Sequence, residues 1–515
     1  MEIPKYVEEI IEKLEKAGFE AFIVGGCVRD LLLSKLAEES KFNNYRNVEP
    51  KDWDVTTNAR PEQILKVFPE GKYENDFGTV LVPIKNYELK ITNDESTGDG
   101  DEPEKNKVVE ITTYRSEHGY SDKRHPDEVF FEDELEKDLA RRDFTINAMA
   151  LKIKNKKLKI KNNDLEITDL FGGEKDLKKK IIRAVGEPSD RFKEDALRMM
   201  RAVRFSSQLD FAIEPKTERA IAKLAGSIKF IANERIRDEL IKILESDKPY
   251  EGIMKLHETK LLQYILPELE RGVGVKQDRH HIYSVFEHSV FSLKHCPSKD
   301  WRVRFSALLH DIAKPQTAKI INGVTTFYNH EYLGAKIANK IMLRLHFSNK
   351  DQEKIFTLIK NHMFYYNADE VTAASVRRLI VKVGKENLKD LIDLRIADRL
   401  GSGVPKAKPY KLRHLEYMME KVQNDPVSVK MLKLNGDLMI KDLGFAPGPK
   451  MGAILDVLLS EVIEDPELNT YEYLAKKAVE LEKEDLAQLR TRAKSLIEEK
   501  REEDDRKIKK EFYVA

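Results

Sequence analysis

The apolar stretch Glu20–Val24 runs directly into Gly25-Gly26, and a helical pattern begins at Val28. A short apolar run closed by paired glycines reads as a buried strand ending in a tight turn. A strand that leads through such a turn into a helix confines the N-terminal region to an α/β arrangement. Surface-helix spacing over Glu8–Ala17 precedes it, and strand-like runs recur at Val55, Thr79–Ile84, Tyr87–Thr92 and Lys107–Tyr114. An α/β head is therefore expected over about the first 150 residues. The segment Asn93–Lys105 interrupts two of these strands with six acidic residues and one lysine, so it reads as a solvated loop of net charge −5.

After Ala150 the pattern becomes mostly helical, apart from a hairpin expected around Lys152–Ile167. The expected fold is α+β multidomain, an α/β head followed by all-α regions. Soft boundaries near 150, 275 and 405 give a head at 1–150, a helical neck and body at 151–275, a third domain at 276–405 and a helical tail at 406–515. The charged stretch Ser495–Lys510 reads as a solvated helix or tail.

The 515 residues carry 90 basic and 90 acidic side chains, which excludes a uniformly basic nucleic-acid coat. Locally, Lys137–Arg204 holds 19 basic and 11 acidic residues, a net of +8 that suits a phosphate-facing wall. The two cysteines, Cys27 and Cys296, cannot staple a chain of this size and suit a reducing compartment. No stretch approaches the ~18 apolar residues of a spanning helix, and the start lacks the signature of a signal peptide. The expectation is a cytoplasmic protein without membrane partners.

Three motifs carry chemistry in the first half. Gly25-Gly26-x-x-Arg29-Asp30 is followed by Asp52-Trp53-Asp54. Alternate residues of a strand point to one face, so Asp52 and Asp54 present two carboxylates side by side about 7 Å apart, a platform for Mg²⁺. The glycines let backbone N–H groups approach a triphosphate, and Arg29 adds a forked cation. The second motif is Arg141-Arg142-Asp143-Phe144-Thr145-Ile146-Asn147-Ala148. In the third, Glu194–Arg204, the residues Asp195, Arg198 and Arg201 fall three apart, as on one helix face. A carboxylate and a guanidinium one turn apart can read the hydrogen-bonding edge of a base.

In this order the motifs closely resemble those of the bacterial-type (class II) tRNA nucleotidyltransferases, the CCA-adding enzymes, and of the related bacterial poly(A) polymerases. The resemblance covers about residues 18–245. It implies a nucleotidyltransferase-superfamily head with catalytic Mg²⁺ on Asp52 and Asp54, the triphosphate on Gly26 and Arg29, and the ribose near Arg142 and Asp143. It also implies base reading by Asp195 and Arg198, with Arg201 and Arg204 completing the nucleotide pocket and Glu110 as a further acid near the metal. Ser116–Asp127 matches the family's flexible loop without deletion, which favours addition of both C and A. The polar stretch Ser34–Lys51 is longer than usual for the family, and the acidic insert is extra; both read as surface extensions.

The second half contains His288, His310-Asp311, His330, His362 and Asp398 on apolar helical patterns. Imidazoles and carboxylates together make a mixed nitrogen and oxygen shell for a divalent metal. Their order over about residues 276–405 resembles the HD phosphohydrolase superfamily, which implies a second metal site at His288, His310, Asp311 and Asp398, less firmly at His330 and His362, and phosphoester hydrolysis. Beyond it, the Pro- and Gly-rich turn at Gly444–Gly452 leads into a helix over Ala453–Val462, whose first N–H groups suit an RNA phosphate, and resembles the tail module that follows the HD region in many family members; nucleotide selection and RNA binding are expected of the neck and body at 151–275 and RNA binding of the tail at 406–515. The expected function is template-free addition of C, C and A to the 3′ end of tRNA from CTP and ATP. The rivals are a poly(A) polymerase of the same fold, and an HD phosphohydrolase whose head only binds RNA.

Overall fold

The computed structural model describes residues 3–38, 45, 50, 52–75, 78–84, 108–119, 128–154, 165–277, 282–364, 371–404, 407–422 and 425–492. The chain forms two compact units, Met1–Pro267 and Glu268–Ala515.

The first unit is built on a seven-stranded sheet. Its strands are β1 (Ala21–Val24), β2 (Asp54–Thr57), β3 (Lys72–Asn75), β4 (Thr79–Pro83), β5 (Val108–Thr113), β8 (Met149–Ile153) and β9 (Leu165–Asp169), with β6 (Arg115–His118) and β7 (Glu128–Phe131) forming a separate hairpin. The order across the sheet is β3-β4-β5-β2-β1-β8-β9, with only β2 and β5 parallel. All four residues of β1 are buried, as expected of a central strand. The helix α1 (Lys5–Lys16) lays Val7, Ile10, Ile11 and Leu14 into the core, and α2 (Gly26–Glu38) starts at the second glycine of the pair.

The hairpin expected near Lys152–Ile167 is β8-β9, paired from Met149↔Asp169 to Ile153↔Leu165. Position 150 therefore lies inside a strand of the head sheet, and the sheet runs on to Asp169. Periodicity alone could not see this, because β9 closes onto β8 by backbone bonds that an apolar count does not register. The polar stretch Ser34–Lys51 is not wholly a surface extension: Tyr45 is buried, its hydroxyl donates to the Leu209 carbonyl, and its ring meets Phe211 edge-on. The expected strand at Tyr87–Thr92, the acidic insert, most of the Ser116–Asp127 loop and the stretch Ser495–Lys510 lie outside the described residues. Beyond the sheet come α3 (Pro61–Val67), α4 (Leu135–Ala140), α5 (Gly173–Lys179), α6 (Pro188–Glu194), α7 (Leu197–Leu209), α8 (Pro215–Leu224) and α9 (Asn233–Glu245).

The second unit is helical, with one two-stranded ribbon at Lys319–Ile321 and Val324–Thr326. One core gathers Val303, Leu358, Ile380, Leu391, Leu394 and Leu415, and a second gathers Leu434, Met439, Ile454, Leu458 and Leu474. The helix expected at Ala453–Val462 runs from Pro449 to Glu464, with proline at its first turn where a missing N–H is harmless. Among the described residues no helix is long and apolar enough to cross a membrane.

Candidate active site and metal centre

In the first unit a cleft of about 400 Å³ is lined by Gly25, Gly26, Arg29, Asp54, Arg142, Asp143, Asp195, Arg198 and Arg201 among others. Three sequence-distant motifs therefore meet in one place. Gly25, the partner of the expected Gly26, is the demanding glycine: its φ is +83°, and a Cβ there would stand 3.1 Å from Arg142 Nη1 and 3.2 Å from Asp54 Oδ2. The same Cβ at Gly26 would meet only Arg29, at 3.6 Å.

The acidic platform differs from the expectation in detail. β2 begins at Asp54, so Asp52 sits on the exposed bend before the strand instead of one strand step along it. The two still feel one another: burial, together with repulsion from Asp52, raises the Asp54 carboxyl above its ordinary value although Arg142 opposes the shift. Glu110 stands directly across from Asp54 in the parallel β2-β5 register. Burial, then Asp54, Glu74 and Asp52, push its carboxyl up to about 7. Carboxylates that repel one another when ionised are relieved by a shared cation, so this set fits a divalent metal.

Cationic side chains facing these acids are each held by another group. Arg29 Nη1 donates to Asn147 Oδ1 at 2.9 Å and its Nε to Asp30 Oδ1 at 2.8 Å. Asp138, fully buried, accepts from Arg141 Nη2 at 2.6 Å and from Arg142 Nη2 at 3.2 Å. Asp143 accepts from Arg201 Nε at 2.8 Å and from Asn147 Nδ2 at 3.2 Å. Burial opposes charge on Asp143, yet Arg201 and Arg198 hold its carboxyl down at about 2. Phe205 lies beneath this group, with the guanidinium carbons of Arg29 and Arg201 at 5.1 and 5.4 Å from its ring.

The base-reading set is also rearranged. Asp195 is not on a continuous helix with Arg198: the backbone is extended there, between α6 and α7, and Asp195 Oδ1 accepts from the Leu197 N–H at 2.9 Å. A helix stop with a capping aspartate explains why the three-residue spacing misled. Asp195 pairs with Arg235 at 2.8 Å. Arg198 pairs with Glu194 at 2.5 Å and reaches the Arg141 carbonyl at 3.2 Å, while Arg141 Nη1 bonds Glu117 at 3.0 Å on β6. A chain of bonds thus runs from the β6-β7 hairpin to Arg198. Arg204 departs from expectation: it is 9% exposed, turned inward to Glu239 at 2.6 Å and Gln208 at 3.0 Å, and it packs on Phe205. It supports the cleft from behind. Arg141, Asn147, Phe205 and Arg235 went unassigned in the sequence, although Arg141 and Asn147 lie within the second motif and Phe205 directly follows the third.

In the second unit the six expected HD residues converge. His288 lies on the helix Val285–Lys294, His310 ends Trp301–Leu309, His330 opens His330–Arg344, His362 follows Asn349–Lys360 and Asp398 lies on Leu388–Gly401. His288 Nε2 stands 3.0 Å from His310 Nε2, 3.1 Å from Asp311 and 3.3 Å from Asp398. His330 Nε2 is 3.3 Å and His362 Nε2 3.9 Å from Asp311 Oδ1, so the two less firm candidates join the group. The Nδ1 atoms of His310, His330 and His362 lie 2.7–2.8 Å from the carbonyls of Ala307, Phe327 and Ile359, which fixes the rings with Nε2 inward. Buried nitrogens facing one another across carboxylates fit a divalent metal, and two triads, His288-His310-Asp398 and His310-Asp311-His362, have ligand atoms within 4.8 Å of one another. Burial opposes charge on Asp311, yet His310 and Lys314 hold it well below the carboxylate range. Lys314, unassigned in the sequence, contacts Asp311 at 2.6 Å and Gln277 at 2.7 Å.

Comparison with known proteins matches both units to known families. Residues 21–183 match the family described as "Poly A polymerase head domain", 210–272 "Probable RNA and SrmB- binding site of polymerase A", and 280–402 "HD domain". The CCA-adding enzyme of Ligilactobacillus salivarius is 33% identical over 474 residues, 92% of this chain and 95% of that protein. The A-adding tRNA nucleotidyltransferase of Deinococcus radiodurans is 36% identical over 341 residues, 63% of this chain and 74% of that one. The crystal structure of Bacillus stearothermophilus CCA-adding enzyme in complex with CTP superposes with a TM-score of 0.60 at 26% identity, covering 96% of this chain and all of that one.

Proposed function

The chain belongs to the CCA-adding tRNA nucleotidyltransferases, and from that premise we propose which of its residues carry the reaction. It adds C, C and A to the 3′ end of tRNA, and its partners are tRNA, CTP and ATP. The nucleotidyltransferase and HD families are both metal-dependent.

A Mg²⁺ ion held by Asp52 and Asp54, with Glu110 beside them, would supply positive charge to the attacking 3′-hydroxyl and to the departing pyrophosphate. Gly25 and Gly26 leave room for the triphosphate at the start of α2, Arg29 offers it a guanidinium already oriented by Asn147, and Arg142, held by Asp138, serves the ribose side with Asp143. Preoriented donors cost no reorganisation when charge builds in the transition state. Asp143, kept ionised by Arg201 and Arg198, holds the ribose side. Asp195 and Arg198 read the base edge, and a nucleotide that leaves either charge unpaired is rejected more strongly than one of the wrong shape. Arg235 and Glu194 orient that pair. What supports this reading is the cleft that carries Asp54 at one part of its lining and Asp195 with Arg198 at another.

The test is incorporation by the purified chain on tRNA lacking its last three nucleotides, with each nucleotide supplied separately. CTP alone is expected to be added, and ATP only after C. Incorporation of ATP alone onto tRNA ending in CC would instead match the activity in the Deinococcus relative's name. ATP extension of unrelated RNA would favour a poly(A) polymerase. The HD cluster is assigned a second divalent metal on His288, His310, Asp311 and Asp398, with His330 and His362, and hydrolysis of phosphoesters; bis-(p-nitrophenyl) phosphate turnover with Mn²⁺, Co²⁺ or Ni²⁺ reads it out.

A further inference from the structure

Phe205, on α7, is 5% exposed and still lines the nucleotide cleft. Phe144, fully buried, meets it edge-on with ring centroids 5.8 Å apart and planes crossing at 83°, which fixes how the Phe205 ring is turned. Three guanidiniums from two helices converge on that ring. The guanidinium carbon of Arg204 stands 4.1 Å from its centroid, that of Arg29 5.1 Å and that of Arg201 5.4 Å. Each is tied to a separate set of polar partners, Arg29 to Asp30 and Asn147, Arg201 to Asp143 and Arg204 to Glu239. The ring is what the three have in common.

Three like charges gathered round one uncharged side chain repel one another, and an aliphatic residue of similar size does nothing to offset that. A phenyl ring does, because the negative potential of its face attracts a cation within about 6 Å, most strongly where water is kept out. Arg204 is turned inward and supports the cleft from behind, whereas Arg29 and Arg201 both line it. Arg29 is assigned to the triphosphate, and Arg201 holds Asp143 at the ribose side. One ring that attracts both guanidiniums therefore sets the distance between these two parts of the pocket. The base readers stand apart from it: Asp195 is held by Arg235, and Arg198 by Glu194 and the Arg141 carbonyl. An effect that passes through Phe205 should accordingly be the same whichever base is bound.

We propose that Phe205 is a positioning residue for the incoming nucleotide: by attracting Arg29 and Arg201 to its ring it sets the spacing of the triphosphate and ribose contacts for CTP and ATP alike. The inference rests on the assignment of Arg29 to the triphosphate. The test replaces Phe205, in the full chain, by mono-, di- and trifluorinated phenylalanine and measures the kinetics of CTP and ATP addition to tRNA lacking its 3′ end. Successive fluorines withdraw negative charge from the ring face and nearly keep its shape. The KM for both nucleotides should rise stepwise along the series to about five- to thirtyfold, the worth of one partly desolvated cation–π contact. Because the contact holds the nucleotide before and during the reaction alike, kcat should change by less than about threefold, and the preference for C and A over U and G should stay within about twofold. Phe205→Leu, which keeps the apolar bulk and removes the ring face, should reach the level of the trifluorinated ring; if it does not fold, the fluorinated series decides alone. A flat series, or one in which kcat or the base preference moves and KM does not, overturns the proposal. Arg29→Ala, measured alongside, separates the two ways to fail. A raised KM in Arg29→Ala beside a flat series removes the role of the ring alone, whereas an unchanged KM in Arg29→Ala removes the triphosphate assignment and the proposal with it.

Discussion

The head cleft and the HD cluster both gather ionised carboxylates, and they balance them in opposite ways. In the head, Asp138, Asp143 and Asp195 face guanidiniums, which cannot lose their protons or bind a metal. Among the HD ligands Asp311 and Asp398 each keep one fixed cation, Lys314 and Arg395, but also face imidazoles, which can do both. The head site is open to one side and lined with fixed cations, as suits a polyanionic substrate that enters and leaves. In the HD site His288, His310 and His362 are 0–2% exposed while Asp398 keeps 14% of its side chain exposed, as suits a metal held by buried nitrogens and reached from one side. One chain thus separates a site for a passing nucleotide from a site for a resident ion.

The largest expected effect lies on the head side of this contrast. Asp54→Ala should lower incorporation of both CTP and ATP at least a hundredfold, because it removes charge stabilisation realised in the transition state, while tRNA binding, spread over many phosphate contacts, stays nearly intact. Asp52→Ala should do the same even though Asp52 lies on the bend. More than a tenth of wild-type activity in either variant would contradict the assignment.

Next comes selectivity. Asp195→Ala and Arg198→Ala should each change the preference for C and A over U and G by about ten- to a hundredfold, the worth of one charge-assisted hydrogen bond of roughly 1.5–3 kcal/mol. Measuring kcat/KM for four nucleotides on one primer checks this. Unchanged ratios in a folded protein would reduce the pair to structural partners of Arg235 and Glu194.

These predictions depend on what the sequence could and could not disclose. The glycine turn and the His-Asp pair were legible as local patterns of residue type and spacing, and the Arg-Arg-Asp block through the family resemblance that its sequence carries. The continuity of the sheet past residue 150, the burial of Tyr45 and the Asp195–Arg235 pair were not, since each depends on residues dozens of positions apart meeting in the fold. Arg204 illustrates the limit best. The resemblance placed it in the nucleotide pocket beside Arg201, yet each three-residue step turns about 60° around the helix, and by Arg204 the side chain reaches inward to Glu239.

Arg204 therefore supplies a control that separates support from recognition. Arg204→Met removes the closer of the two cations at Glu239, 4% exposed, leaving Lys242 at 3.6 Å, which should cost up to roughly 3 kcal/mol of stability. Nucleotide preference ratios should stay as in the wild type. A changed ratio at unchanged stability would return Arg204 to the nucleotide pocket.

A smaller effect follows from Asp143. Its folded-state carboxyl sits at about 2, below the ordinary ~3.9, so as pH falls the unfolded chain takes up the proton first. The stabilisation is complete above about pH 4, is lost as pH falls through 2, and is on the order of 2 kcal/mol. Asp143→Asn should flatten the acid limb of the urea-midpoint curve by that amount. An unaltered limb would mean that Arg201 and Arg198 do not hold the carboxylate as described.

The division of labour itself is tested most directly by His310→Ala combined with Asp311→Ala in the full chain, assayed in one preparation for tightly bound metal and for addition of C and A to tRNA lacking its 3′ end. The account predicts that bound metal is lost while the rates of C and A addition stay within about twofold of the wild type. Parallel loss of metal and nucleotide addition, in a protein shown to be folded, would contradict it.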